Sequence, residues 1–397
     1  SSVAYAPDEI LLTLGMAGGA LAVTQSWKIG LAVAFVMVIV VMSYRQNVHA
    51  YPSGGGDYEV ASVNLGPKAG LTVASALLVD YVLTVAVSVS SGVQNAATAL
   101  PFLRGHEAIT AVVIVALLTA MNLRGVRESG SAFAVPTYLF MGAVIGMAGV
   151  GFFRSAMGNL PLAESANLTL APESGYETLG GFAMAFLLLR AFSSGCAALT
   201  GVEAISNGVP AFQKPKSRNA ATTLLLMGTI AVTMLLSMIV LARLTHVHFA
   251  EDPATQLLRD GAPVGDAYIQ HTVMGQVAQA VFDGFTPGVV LVSVVTGLIL
   301  FLAANTAFNG FPVLGSILAK DGYLPRQLHT RGNRLAFSNG IIILAAAAAG
   351  LSGRPFTFAA GAFCGAILLN VGLTAVFATL SGALVLMGSF MFVMGWF

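Results

Sequence analysis

Charge is the scarcest commodity in this sequence. Only 9% of its 397 residues are Asp, Glu, Lys or Arg, against roughly 25% in a soluble domain. With 56% hydrophobic residues and a mean hydropathy of +0.84, that scarcity excludes a soluble enzyme or binding module and indicates a helical membrane protein. The net charge of +1 excludes a nucleic-acid partner. Cysteine is nearly missing too: Cys196 and Cys364 both sit in apolar stretches, so neither a disulfide framework nor a metal motif is expected. The six histidines show no metal-ligand spacing, and no transition-metal site or cofactor is expected. No phosphate-binding loop ending in Gly-Lys-Ser/Thr occurs, so any transport would draw on ion gradients rather than on ATP. Short segments of alternating polarity, the mark of a membrane barrel, do not appear either. Position 1 is Ser, with no basic leader region before the first apolar stretch. The expectation is a chain lacking its true N-terminus, not a signal peptide.

What is abundant is long apolar sequence. Roughly twenty apolar residues cross a bilayer. On that measure, spans are predicted at about 5–24, 29–43, 69–97, 107–122, 132–152, 178–207, 220–242, 286–308, 336–350, 356–376 and 379–397. The whole of 1–397 reads as a single transmembrane transporter domain of ten or eleven spans. Two connecting stretches look like more than links: Tyr51–Tyr58 with the short amphipathic segment to Gly66, and Asn309–Pro312 followed by Ala319–Arg326.

Assigning alternate loops to alternate sides gathers Arg45, Lys68, Arg124, Arg127, Lys214, Lys216, Arg218, Lys320, Arg326, Arg331 and Arg334 on one face. Most loop acids, including Glu164, Glu173, Glu251 and Asp252, fall on the other. The positive-inside bias puts the N-terminus in the cytoplasm of a multi-pass cell-membrane protein. Arg190 falls within a span and is expected to snorkel to the outer surface.

The informative residues are acids embedded in this apolar setting. Asp80 is the one ionisable side chain between Tyr81 and Lys68 on its span, and no further Asp, Glu, Lys or Arg follows until Arg104. A charge at the middle of a bilayer costs at least ~2.5–3.5 kcal/mol, so it faces a polar cavity or a partner. Thr84 and Ser88 follow at i+4 and i+8, stacking carboxylate and two hydroxyls on one helix face. A second acid, Glu203, ends the stretch Ser193-Ser194-Gly195-Cys196 to Thr200-Gly201-Val202-Glu203. Gly195 and Gly201 allow that helix to open at mid-membrane, where irregular backbone is tolerated only beside a cavity or within protein. Freed carbonyls and the Thr200 hydroxyl are hard oxygen ligands for a cation, with Asp80 and Glu203 as counter-charge or proton carriers.

The bland readings compete. Thr84 and Ser88 can simply cross-link helices, Glu203 can serve a gate or helix end, and Asp8 is expected as a first-turn acid favoured by the helix dipole. Asn305, Thr306 and Asn309 need no special role. An internal echo adds weight to the transport reading: Tyr5–Ile10 and Thr200–Ile205 share an acid two residues before Ile, in the first and sixth spans. Interrupted helices at matching positions of two halves point to a transporter's binding site.

Ser193–Cys196, Thr200–Asn207, Pro210-Ala211-Phe212 and Asn219-Ala220-Ala221 closely resemble the amino acid–polyamine–cation transporter superfamily, and within it the KimA/KUP-like potassium importers. Ser1–Tyr5, Ser43–Gln46, Ala50-Tyr51-Pro52, Leu78–Tyr81, Leu83–Ser88 and Arg334–Gly340 support the likeness, which runs to about residue 350. The resemblance implies a LeuT-like fold of two inverted five-helix repeats (5+5), all-α, with helices one and six broken. It also implies potassium–proton symport into the cytoplasm and a possible homodimer. Matching positions make Tyr5, Asp80, Thr84, Ser88, Thr200 and Glu203 the ion-pathway residues. The family's Asp ahead of Ser-Ser-Val-Ala-Tyr falls before residue 1, and residues 355–397 carry no charge and do not align.

An amino acid permease of the same superfamily is the alternative. Its substrate carboxylate would sit on half-helix N-termini, where Asp80 and Glu203 would repel it. A channel would need a filter repeat, and none is visible.

Overall fold

The computed structural model describes residues 1–51, 56–124, 130–329 and 338–352. It is a helical bundle. Helices α1 (Ala6–Gly15), α2 (Gly19–Ala50), α3 (Gly56–Leu65), α4 (Pro67–Ala99), α5 (Glu107–Leu123) and α6 (Gly130–Ala156) form its first part. They are followed by α7 (Gly181–Gly195), α8 (Val202–Asn207), α9 (Lys216–Leu244), α10 (Pro253–Gln256), α11 (Val273–Val281), α12 (Thr286–Lys320) and α13 (Ser338–Ser352). Among the described residues, six helical stretches are long and apolar enough to cross a membrane: Thr24–Ala50, Pro67–Ala99, Phe133–Ala156, Gly181–Ser206, Lys216–Leu244 and Thr286–Lys320. Glu107–Leu123 and Ser338–Leu351 are shorter apolar helices. The expected spans at 356–376 and 379–397, Cys364, Pro52–Gly55, Arg331 and Arg334–Phe337 lie outside the described residues.

Two helix boundaries differ from the sequence expectation. The first span ends at Gly15, not at residue 24, and the next helix runs unbroken through Trp27 and Lys28 to Ala50. The break falls where the backbone demands it, at Gly18, whose φ of 97° suits glycine alone. Lys28 is no breaker: its ammonium lies 5.9 Å over the Trp27 ring while its helix continues. At 32 residues, α2 is about 48 Å long at 1.5 Å per residue, more than a hydrocarbon core needs. Likewise Asn309–Pro312 is not a connector but part of α12, which carries Pro312 inside it. In a tightly packed span, neighbouring helices absorb the missing proline hydrogen bond.

The bundle packs closely at its centre. The α4–α12 pairing is the most extensive helix contact, and the two backbones meet at glycines. A side-chain carbon on Gly92 would lie 2.6 Å from the Phe301 ring and 3.3 Å from Gly297 O, and one on Gly297 would lie 3.0 Å from Gly92 O. Without a hydrophobic drive between helices in lipid, such small-residue crossings supply the packing. The main apolar cluster joins Val3, Tyr5, Ile10 and Leu14 of the first span to Val33 and Met37 of α2. It continues through Leu83 and Val87 of α4, Ala191, Cys196 and Ala197 of the sixth span, and Leu235 of α9.

The expectation of a purely helical chain needs one amendment. At one end of the bundle, strands β1 (Thr169–Leu170), β2 (Leu257–Arg259) and β3 (Ala262–Pro263) form a small antiparallel sheet in the order β1-β2-β3, with Thr169 opposite Leu258. Residues 157–180 and 245–272 share that end, and their backbone groups find partners in each other. This cap is tied to α1 as well: Glu173 N–H donates to Met16 O at 2.8 Å.

Candidate functional site

Both halves of the sequence echo carry a 3-10 turn beside an α-helix. Ser2–Ala4 forms a 3-10 turn that leads through Tyr5 into α1. Cys196–Leu199 forms a second 3-10 turn, after which Thr200 is extended and α8 begins at Val202. Between them Gly201 takes φ +96°, ψ −7°, a left-handed conformation that glycine enters without strain. The opening expected at Gly195 and Gly201 therefore spans residues 196–201.

The two turns touch. Ser2 Oγ lies 3.0 Å from Ala198 O and 3.2 Å from Thr200 O, so a hydroxyl of the first span addresses carbonyls released by the sixth. Two turns along α1, Thr13 Oγ1, which donates to Glu9 O at 2.9 Å, lies 3.3 Å from Ser194 Oγ. Gly195 makes the approach possible, because a side-chain carbon there would stand 2.8 Å from Ile10 and 2.9 Å from Val33.

Of the predicted site residues, Tyr5 closes the first turn and is buried, and Thr200 closes the second. Thr84 and Ser88 sit on α4 beside Leu83 and Val87, whose side chains join the cluster around both turns. Ser88 is fully buried and its hydroxyl has no hydrogen-bond partner, an arrangement that buried polar groups rarely keep without a ligand or water. Glu203 is the second residue of α8; its side chain lies outside what is described.

Asp80 takes a position that sequence reasoning did not foresee. It is half-buried on α4, one turn from Thr84, and its charged neighbour is Asp57 of α3. Asp57 accepts the Tyr44 hydroxyl on both oxygens, at 2.8 and 2.7 Å. Burial pushes the Asp57 carboxyl above its ordinary range, and the Tyr44 bond works against that shift. Helix α3 packs along α4 and also touches α8. It thus bridges the helix of Asp80 and the segment that carries Glu203. Its own end is held by Tyr58, whose hydroxyl donates to Asp321 at 2.7 Å.

Other embedded polar groups have structural work. Asp8 does more than favour its own first turn: its Oδ1 accepts the Val273 N–H at 3.0 Å, beside Thr272, which caps α11. Asn305 accepts from Asn122 at 2.7 Å and links α5 to α12, as a cross-linking amide does. Arg190 is half-buried, with Nη1 3.4 Å from the Tyr176 hydroxyl. Cys196 is a free, buried thiol. Among the described residues no group of His, Cys, Asp or Glu could hold a metal ion.

Long apolar helices, with the sixth span interrupted at residues 196–201, define a multi-pass membrane protein. The sequence profile of the amino acid permease family matches residues 2–397, and the chain belongs to that family, within the amino acid–polyamine–cation superfamily. Among curated proteins it is similar to the potassium transporter KimA of Bacillus subtilis (strain 168), 42% identical over 344 residues, which cover 87% of this chain and 52% of that protein. The chain spans about half the length of this relative.

Proposed function

We propose that the chain is a secondary transporter that moves potassium, coupled to protons, into the cytoplasm through a site between its first, third and sixth spans. The observation that carries this reading is the chemistry where the Ser2–Ala4 turn meets the opened backbone at residues 196–201. Backbone carbonyls and the Thr200 hydroxyl there, the Ser88 hydroxyl on α4 and the Asp80 carboxylate two turns before it on the same helix, beside Asp57, are all hard oxygen donors. Oxygen groups of this kind replace the hydration shell of a potassium ion. The 42% identity to a potassium transporter supports the same cargo.

In this reading Tyr5, Asp80, Thr84, Ser88, Thr200 and Glu203 line the pathway, and the fold is the 5+5 inverted repeat with helices one and six broken. The end carrying the small sheet faces outward, and the N-terminus is cytoplasmic. An amino acid would bring its own carboxylate beside Asp80 and Glu203, which disfavours that cargo.

The test is uptake by the purified chain in proteoliposomes under an imposed pH gradient, with rubidium as the potassium tracer and radiolabelled amino acids in parallel. Proton-driven rubidium uptake that potassium competes away is the expected result; amino acid uptake with no rubidium flux would overturn the reading. Asp80→Asn should abolish uptake without loss of folded protein, and unchanged transport would remove Asp80 from the mechanism.

A further inference from the structure

We propose that His271 is a proton-binding site at the sheet-bearing end of the bundle, and that its occupancy decides whether the end of α4 is tied to the segment leading into α11. On the proposed function that end faces outward, and the site then reports external acidity.

The ring is held on both edges. His271 Nδ1 lies 2.9 and 2.8 Å from the two carboxylate oxygens of Glu164, and the His271 backbone N–H donates to Glu164 Oε1 at 3.1 Å. On the other edge, His271 Nε2 lies 3.2 Å from Arg104 Nη2. An ionised carboxylate only accepts hydrogen bonds and a guanidinium only donates them. The neutral ring with its hydrogen on Nδ1 and a lone pair on Nε2 therefore satisfies both neighbours. The other neutral tautomer satisfies neither.

Protonation changes one edge. A hydrogen on Nε2 turns that nitrogen from acceptor to donor and sets a cationic ring against the guanidinium, so the Arg104 contact breaks. The bond from Nδ1–H to Glu164 becomes charge-assisted and tightens. The ring keeps 14% of its side chain open to solvent, and histidine exchanges its proton between about pH 5 and 8. Around these three residues stand four further titratable or charged groups. His106 turns Nδ1 to Arg104 O at 3.3 Å, and Glu107 accepts the Gly105 N–H at 3.0 Å. Tyr268 faces Glu164 and Arg259. From α1, Asp8 accepts the Val273 N–H at 3.0 Å.

What the proton loosens is a junction of three helices. Arg104 follows α4 and donates through Nε to Ala97 O at 3.2 Å, so it links the α4 terminus to His271. The next residue, Thr272, caps α11 and donates to Asn95 of α4 at 3.0 Å. The His271 carbonyl accepts from Gln276 of α11 at 2.9 Å, and the amide held by Asp8 belongs to the first residue of α11. Releasing Arg104 removes the less buried of these two ties between α4 and the segment, while the buried Asn95–Thr272 tie persists. A proton shifts such an equilibrium by its differential affinity for the two arrangements. Here the difference is one hydrogen bond and one like-charge contact.

The test is a pair of double-mutant cycles, read by thermal unfolding of the detergent-purified chain at about pH 8 and about pH 5.5. The variants are Arg104→Ala, Glu164→Ala, His271→Ala and the two doubles that include His271→Ala. The Arg104–His271 coupling should raise the unfolding temperature by about 1–2 °C at the higher pH and vanish or change sign at the lower. The Glu164–His271 coupling should grow on acidification. An Arg104 coupling that is equal at both pH values, or absent at both, overturns the site. Hydrogen–deuterium exchange carries the test should the alanine variants fold poorly, with His271→Gln as the comparison, because an amide side chain donates and accepts at every pH. After correction for intrinsic rates, amide protection at residues 100–104 should fall on acidification in the wild type and not in His271→Gln; the same change in both overturns the proposal. Neither readout involves transport, so its failure leaves the proposed function standing, and its success does not depend on rubidium uptake.

Discussion

Substituting Gly195 by alanine tests whether the first and sixth spans are held by close packing. The backbone there is right-handed helical, φ −64° and ψ −28°, so alanine fits the conformation. On that ground alone it would stabilise the protein by about 0.4–1 kcal/mol. Space decides otherwise. The added carbon would stand 2.8 and 2.9 Å from Ile10 atoms and 2.9 Å from Val33 Cγ2. Both side chains are fully buried and lie on different helices, so neither can yield without moving α1 or α2. Overpacking of this kind costs about 1–3 kcal/mol, leaving Gly195→Ala destabilising by about 1–2 kcal/mol net. The assay is unfolding of the detergent-purified chain, run as a double-mutant cycle with Ile10→Ala. That substitution alone should cost about 2–5 kcal/mol, but in the Gly195→Ala background it should cost about 1 kcal/mol less, because the space is already filled. Gly146, with nothing within 4 Å of an added carbon, is the control; alanine there should be neutral or stabilising. Equal effects at Gly195 and Gly146, or strict additivity with Ile10→Ala, would refute the packing argument.

Ser2→Ala removes the hydroxyl that addresses Ala198 O and Thr200 O. A loss of about 1–3 kcal/mol is expected, read by thermal unfolding, with slower exchange protection lost first at residues 196–201 by hydrogen–deuterium exchange. Gly201→Ala should cost about 1–2 kcal/mol for its left-handed backbone, although no atom crowds that position. Asp57 gives a pH prediction. Its carboxyl titrates above the ordinary value of 3.8 in the folded chain, so the folded state holds the proton more tightly than the unfolded one. The stability this contributes is complete below about the unfolded value and is lost as pH rises through the raised one. Asp57→Asn should therefore gain on the wild type as pH is raised from the carboxylate range toward neutrality; a constant difference across that range would count against the buried acid.

The bundle was legible because apolar length is a coarse, robust signal: 69–97, 107–122 and 220–242 fall within α4, α5 and α9. The break after Gly195 was legible for a related reason, since glycines and hydroxyls in an apolar run have few other uses. Boundaries set by a single residue were harder. Trp27-Lys28 looks like a loop by polarity, yet nothing in Gln25–Lys28 opposes a helix, whereas Gly18 does by its backbone. Asp57 and Asp80 show the deeper limit. They are 23 positions apart, and no periodicity reveals that α3 folds back along α4 to bring them near each other.

The Ser2 hydroxyl has a single proton and two waiting acceptors. It can satisfy one of them at a time, and the choice changes by a small rotation about one side-chain bond. The contact between residues 2 and 198–200 therefore has two nearly equivalent arrangements that differ in a single proton position.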